Sequence, residues 1–182
     1  MVTLDKSVYG TIKGTKSMFR IKYECTNEAL APLAIAKELH SFYYGSFGIP
    51  SEPTGTTLAD WYGLAVDEWS EITTPLESNA IYRDKSIEPF ANMIYYKTLA
   101  FGCMHRFCAE TKSLAIACAF GAVPKIGQQL YVPAAGKKGC TADKTCKKIV
   151  ANSECRRDYS GNIIGPLCQT EAIEVDRKFE LI

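Results

Sequence analysis

The chain of 182 residues is long enough for one domain with its own core, and its net charge of +1 creates no field that would attract nucleic acid. Apolar residues make up 47% of the sequence and aromatic residues 11%, which excludes a largely disordered protein. Apolar runs stay well below the roughly 18 residues of a membrane span, so membrane insertion is not expected.

Three helices are predicted in the first hundred residues. The first spans 31–44, with Pro32 at its first helical position. After a loop over 45–56, the second spans 58–72, where apolar residues recur at three- and four-residue spacing and Thr57 and Asp60 resemble a capping box. The third spans 87–97, with Pro89 in its first turn.

Strands are predicted next, at 99–103, 114–120 and 128–131. Beyond Gly136 the composition changes to Lys, Cys, Thr, Asp and Gly, which predicts an extension with little core of its own. The order of elements indicates an α+β protein in which helices cover a short antiparallel sheet. We expect a domain over 1–136, with an extension and tail over 137–182 packed on it.

Eight cysteines are the most informative feature of the composition, and seven of them lie in the last 80 residues. An even number favours four disulfides and a secreted, extracellular protein, in which Met1 would replace a removed leader. The alternatives are zinc binding or free thiols, but the sequence has no Cys-x-x-Cys pair and only two histidines. The sequence alone leaves the connectivity open.

Several short segments resemble motifs of the CAP superfamily, the cysteine-rich secretory, antigen 5 and pathogenesis-related proteins. Residues 19–25 are similar to the family's Met-x-Tyr-Asp-Cys, and 68–71 to its Trp-Trp/Tyr-x-Glu helix end. Residues 90–95 follow the pattern of its His-Phe-Thr-Gln-Met-Val-Trp helix. Cysteines 103, 108 and 118 and the four-cysteine tail match the hookworm Ancylostoma-secreted-protein group.

This resemblance implies an α-β-α sandwich with a disulfide-rich hinge at its C-terminal end. By the family pattern, four pairs are expected: Cys103–Cys118, Cys25–Cys108, Cys140–Cys155 and Cys146–Cys168. Each bridge is expected to restrict the unfolded chain and to stabilise the fold by about 2–4 kcal/mol.

Many CAP domains hold two His and two Glu in a central cleft that can bind zinc. The equivalent positions here are His40, Ser46, Glu71 and Pro89, so two ligands remain and two are lost. A zinc site needs three or four ligands, so no metal and no other cofactor is expected. His105, between Cys103 and Cys108, is expected in an exposed turn. The sequence also lacks the Gly-x-Ser-x-Gly and phosphate-loop motifs, so no enzymatic activity and no catalytic residue are predicted.

The resemblance to hookworm proteins of this group implies antagonism of host cell adhesion, through platelet integrins and platelet aggregation or through leukocyte integrins. No Arg-Gly-Asp is present, so the nearest charged substitutes are Arg83-Asp84 and Asp143-Lys144. Ordinary solvated loop charges are the alternative interpretation of both pairs.

Two further interpretations stay open. The basic hinge could contact an anionic glycosaminoglycan. The aromatic residues of 42–44 and 61–62 could line a groove for a sterol or another lipid, although such residues more often belong to the core.

Overall fold

The computed structural model describes residues 14–37, 42–45, 57–72, 76–108, 113–134 and 139–171. In chain order the helices are α1 (Cys25–Lys37), α2 (Leu58–Ser70), α3 (Glu88–Ile94) and α4 (Asp143–Lys147), with a 3-10 turn at Lys85–Ile87 before α3. The strands are β1 (Lys22–Tyr23), β2 (Phe42–Gly45), β3 (Ala100–Cys108), β4 (Ser113–Phe120), β5 (Ser153–Arg157) and β6 (Ile163–Thr170). No helix within these ranges is long and apolar enough to cross a membrane.

A four-stranded sheet in the order β1-β3-β4-β2 forms the middle layer. Strand β4 pairs antiparallel with β3 on one side and with β2 on the other. The two residues of β1 lie parallel to β3. The sequence therefore predicts the α+β class and the antiparallel core of the sheet correctly, but not the short parallel edge.

Two helices cover opposite faces of this sheet. Ala65 and Trp69 of α2 pack with Cys103, Ile116 and Cys118 on one face. On the other face α1 lies directly against Gly102, where an added Cβ would overlap the backbone of Glu28 and lie 2.7 Å from the Glu24 carbonyl oxygen. Because side chains alternate along a strand, Cys103 lies on the face that α2 covers and Gly102 on the face that α1 covers. The result is an α-β-α sandwich.

The first predicted helix is shifted in the structure. It begins at Cys25 rather than residue 31 and runs through Pro32, which is exposed, because Asn27 and Ala31 form one buried face at four-residue spacing. The prediction of helix to residue 44 is wrong, since Phe42 begins strand β2, paired with Ala117 of β4. Aromatic residues such as those of 42–44 favour strands, and here they complete the open edge of β4.

The later helices match their predictions more closely. α2 has the capping box, in which the Asp60 carboxylate accepts a hydrogen bond from the Thr57 N–H at 2.7 Å and the Asp60 N–H donates to the Thr57 hydroxyl at 3.4 Å. α3 is shorter than predicted and ends at Ile94, because the chain turns at Tyr96 and Lys97 before entering β3.

Two strand predictions need correction. Strand β3 continues to Cys108, so His105 lies in a strand opposite Ile116 rather than in a turn. Residues 128–131 form one isolated bridge, between Gln129 and Ile81, and the N–H of Leu130 donates to the carbonyl of Ala80. The segment is bound to a loop rather than to a sheet.

The buried centre of the cysteine-rich extension consists mainly of its disulfides. Its hairpin of β5 and β6 and helix α4 enclose four buried half-cystines, with Phe19 of the sandwich region packed among them. Leu99, Ile149 and Val150 lie at the margin of this cluster. Backbone hydrogen bonds between Cys168 and the 18–20 segment attach the hairpin to the sandwich.

Three disulfides form among the described residues: Cys103–Cys118, Cys140–Cys155 and Cys146–Cys168. These are pairs that the resemblance implied. The fourth expected pair is not formed, because Cys25 has an exposed free thiol. Cys25 starts α1 beside Gly102, whereas Cys108 is six residues further along β3, about 20 Å at the rise of an extended strand. A disulfide requires Cα atoms about 4.4–6.8 Å apart.

Candidate binding surfaces

Two of the four family cleft positions lie in described parts of the chain. Glu71 is exposed at the C-terminal end of α2, where its N–H donates to the Glu68 carbonyl at 3.0 Å. Pro89 is half-buried in the first turn of α3. His40 and Ser46 lie outside the described residues.

The residues present do not fit a zinc ion of the family type. The ring of Pro89 offers no donor atom where the family has a histidine. Within the described ranges, one group of three metal-ligating side chains lies close enough to share an ion, formed by Cys140, Cys146 and Cys155. Their sulfurs already form two disulfides, so they are not thiolate ligands.

The Arg83–Asp84 pair lies in the loop that leads into α3. The Arg83 guanidinium is exposed and forms an ion pair with Glu77, with 3.1 Å between Nε and Oε1. Asp84 is half-buried, and its Oδ1 accepts a hydrogen bond from the Ser86 N–H at 2.9 Å, which caps the 3-10 turn. The loop is therefore ordered by its own charged residues and presents Arg83 to solvent.

The Asp143–Lys144 pair opens helix α4. Both carboxylate oxygens of Asp143 are engaged: Oδ1 accepts from the Cys155 N–H at 2.9 Å, and Oδ2 from the Arg157 guanidinium at 2.8 Å. The hydrogen bond from Cys155 and then the contacts with Arg157 hold the pKa of this carboxyl below its ordinary value. Asp143 thus connects α4 to the hairpin, while Lys144 is exposed.

An aromatic surface on the α2 side of the sheet was not anticipated as a site. The hydroxyl of Tyr62 lies 3.2 Å from Nδ1 of His105, with the two rings edge to face. Nearby, the Tyr23 hydroxyl donates to Glu28 at 2.6 Å, and this hydrogen bond raises the pKa of Tyr23. The alternation of side chains along a strand is the signal that could have placed His105 on this face, two residues after Cys103.

The predicted aromatic groove is only partly described. Trp61 and Tyr62 are half-buried and pack against the sheet, as core residues do. The side chains of 42–44 lie outside the described residues. A recess of about 250 Å³ in the extension is lined mainly by polar side chains, among them Lys147, Ser153, Glu154, Gln169, Thr170 and Glu171.

The turn between β5 and β6 is a second feature that sequence reasoning missed. It spans 158–162, and the side chain of Tyr159 at its tip is fully exposed, with a relative accessibility of 112%. The signal for it was present in the sequence, since Asp158, Gly161 and Asn162 are residues typical of a hairpin turn.

Comparison with known proteins identifies the fold. A scan against protein-family models found no match, and a search of curated proteins found none. Among solved structures, the hookworm platelet inhibitor matches at a TM-score of 0.58 and 19% identity, over 92% of this chain and 82% of that one. Na-ASP-1 matches at 0.65 and 19% identity, over 93% of this chain.

The chain spans only 41% of the length of Na-ASP-1. Other matches include a zinc-containing structure of NaASP2, at a TM-score of 0.56 and 15% identity. That match covers 85% of this chain and 84% of the other. The chain therefore has the α-β-α fold of the hookworm secreted proteins of CAP type that its sequence resembles.

Proposed function

We propose that this chain is a secreted, non-catalytic binding protein that antagonises host cell adhesion, with platelet integrins as its first targets. The observation that carries the proposal is the structural likeness to the hookworm platelet inhibitor over most of both chains. Three disulfides, two of them in the extension, support an oxidising extracellular environment. The proline at a cleft position supports a binding function rather than metal-dependent catalysis.

The contact that we propose for this function is the Arg83–Asp84 loop. Integrins recognise acidic side chains through a bound divalent cation, and carboxylate oxygens are hard ligands for such ions. Asp84 supplies the carboxylate and the exposed Arg83 supplies a neighbouring positive charge. Asp143 is the second candidate of this kind, and both of its oxygens accept hydrogen bonds, from Cys155 and Arg157.

The test is a binding panel of purified platelet and leukocyte integrins, together with platelet aggregation. We expect wild-type protein to bind a platelet integrin in Mg²⁺ or Mn²⁺ and to lose binding in EDTA. Asp84→Ala should reduce affinity at least tenfold, whereas Asp67→Ala, an exposed carboxylate on α2, serves as the matched control. Binding to leukocyte integrins alone would redirect the proposal to leukocytes, and binding to no integrin would refute it.

A lipid carrier is the second candidate. Helix α2 exposes Leu58, Leu64 and Val66 by 41–46%, which is apolar surface that a sterol or fatty acid could cover. Native mass spectrometry of protein purified from a eukaryotic secretion host would detect a bound lipid. A spectrum containing only the mass of the oxidised chain would remove this alternative.

A further inference from the structure

The turn at the tip of the β5–β6 hairpin is held rigidly by one carboxylate. The Asp158 side chain accepts hydrogen bonds from the N–H groups of Ser160 at 2.9 Å and Asn162 at 2.8 Å, and from the Asn162 amide at 3.3 Å. The Asp158 N–H donates to the Asn162 carbonyl at 2.9 Å. Gly161 has a φ of +82°, a conformation that glycine adopts without strain.

The base of the hairpin is anchored as firmly. Cys155 and Cys168 lie opposite each other on β5 and β6, and each forms a disulfide to the α4 region. Arg157, directly before the turn, connects the turn to helix α4: its guanidinium donates to the Gly161 carbonyl at 2.8 Å and to the Asp143 carboxylate at 2.8 Å. The conformation of the tip is thus set before any partner arrives.

On this rigid support, Tyr159 projects entirely into solvent. Ile163 and Ile164, immediately after the turn, are 37% and 38% exposed, and Arg156 precedes the turn with an exposed side chain. Tyrosine and arginine are enriched among residues that dominate binding energy, because they offer large contact areas with few rotatable bonds or several donors. A preorganised tip also avoids most of the entropic cost of ordering a loop.

The charges of the extension indicate the partner. Its described carboxylates each have a partner: Asp143 binds Arg157, Asp158 binds the turn, the exposed Glu154 accepts from the Gln169 amide at 3.1 Å, and the exposed Glu171 lies 3.7 Å from the Lys22 ammonium. By contrast, Lys144, Lys147, Lys148 and Arg156 are exposed, with no carboxylate in ion-pair distance within the described ranges. The exposed charges without an ion-pair partner in the described ranges are therefore mainly positive, and an acidic surface is complementary to them.

We infer that the hairpin tip is a protein-recognition element, which inserts Tyr159 into an apolar pocket on an acidic receptor surface, with Arg156 pairing with a carboxylate beside that pocket. The identity of the receptor as an adhesion receptor rests on the proposed function, whereas the recognition role of the tip does not. The tip would act as a second contact, separate in sequence from the Arg83–Asp84 loop.

The test measures binding of fluorescently labelled, fully oxidised protein to intact platelets and to leukocytes by flow cytometry. Tyr159→Ala should weaken binding at least tenfold, and Tyr159→Phe should retain most of it, because the ring supplies the contact. Arg156→Glu should also weaken binding and reduce its dependence on salt. Ile126→Ala, which truncates a half-exposed side chain on a loop of the sandwich, is the matched control.

Each outcome decides a different point. Equal binding of Tyr159→Ala and wild type overturns the inference, whereas a complete failure of wild type to bind either cell type refutes the proposed function. Binding that depends on Tyr159 but persists when integrins are blocked by antibodies or EDTA supports the tip and refutes the integrin proposal. Circular dichroism and melting temperatures of the variants should equal those of wild type, since Tyr159 is fully exposed in the structure.

Discussion

The sandwich and the extension maintain their shapes by different means. In the sandwich, apolar side chains of α2 and the sheet are buried together, and a second cluster around Phe90, Tyr95 and Leu130 extends the core. In the extension, the buried centre is four half-cystines, and side-chain hydrogen bonds from Asp143 and Asp158 complete it. A region of about thirty residues cannot bury enough apolar surface by itself, so covalent cross-links substitute for it.

The largest difference between the regions should follow from loss of a disulfide. The Cys146–Cys168 bridge closes a sequence separation of 22 residues, which corresponds to about 3 kcal/mol of stabilisation. We expect the double variant Cys146→Ala/Cys168→Ala to unfold the extension while the sandwich stays folded. Limited proteolysis with mass spectrometry would locate the cleavage sites. Cuts appearing equally fast within β3 and β4 would show instead that the two regions unfold together.

Close packing of α1 on the sheet should be the most sensitive point of the sandwich. A methyl group at residue 102 would overlap the α1 backbone, so Gly102→Ala should destabilise the protein by about 2–3 kcal/mol. Gly63→Ala is the matched control, since nothing lies within 4 Å of its added Cβ and alanine favours a helix by up to about 1 kcal/mol. Urea denaturation followed by tryptophan fluorescence measures both. Similar midpoints for the two variants would contradict the close approach.

The capping box of α2 should contribute less. Thr57→Ala removes the hydroxyl that accepts from the Asp60 N–H and should cost about 1 kcal/mol. Thr57→Ser keeps the acceptor and should retain most of the stability. The same urea denaturation separates these variants, and an equal loss in Ser and Ala would assign the effect to the methyl group of threonine rather than to the cap.

The smallest effect should be the pH dependence of the extension, because the Asp143 side chain is 30% exposed and solvent screens part of its interaction with Arg157. The pKa of Asp143 is lowered in the folded state, so the stability that the ionised carboxylate contributes is complete above the unfolded pKa of about 3.9. The contribution disappears as the pH falls through the lower, folded pKa. Asp143→Asn should therefore melt below wild type at pH 7 and approach it at pH 3. If the melting temperatures of Asp143→Asn and wild type differ equally at pH 7 and at pH 3, the titration of Asp143 is excluded as the cause.

Sequence reasoning succeeded where the local pattern and the final structure agree. The apolar spacing and the capping residues both predict helix α2, and the nearly continuous apolar run predicts strand β4. The predicted elements are wrong where tertiary contacts outweigh the local conformational preference of the sequence. Pro32 suggests a helix start, yet burial of Asn27 and Ala31 carries the helix through it, and pairing with β4 converts 42–45 into a strand.

For the candidate surfaces, the sequence indicated residue types but not their environments. It suggested Asp84 and Asp143 equally, and only the folded geometry shows that Asp143 is bound on both oxygens. It did not indicate Tyr159, because exposure at a hairpin tip depends on the register of β5 and β6, in which Cys155 lies opposite Cys168. Cys25 shows the same limit, since its distance from Cys108 depends on where α1 meets the sheet.

The sulfur-centred core of the extension has a consequence for how such proteins diversify. When a few half-cystines and two aspartates determine the backbone path, the remaining positions are released from the steric constraints of a close-packed interior. Substitutions at the hairpin tip can then accumulate without loss of folding. A receptor that changes over generations can be followed by changes at residues 159 and 160, while Asp158, Gly161 and the scaffold beneath them stay the same.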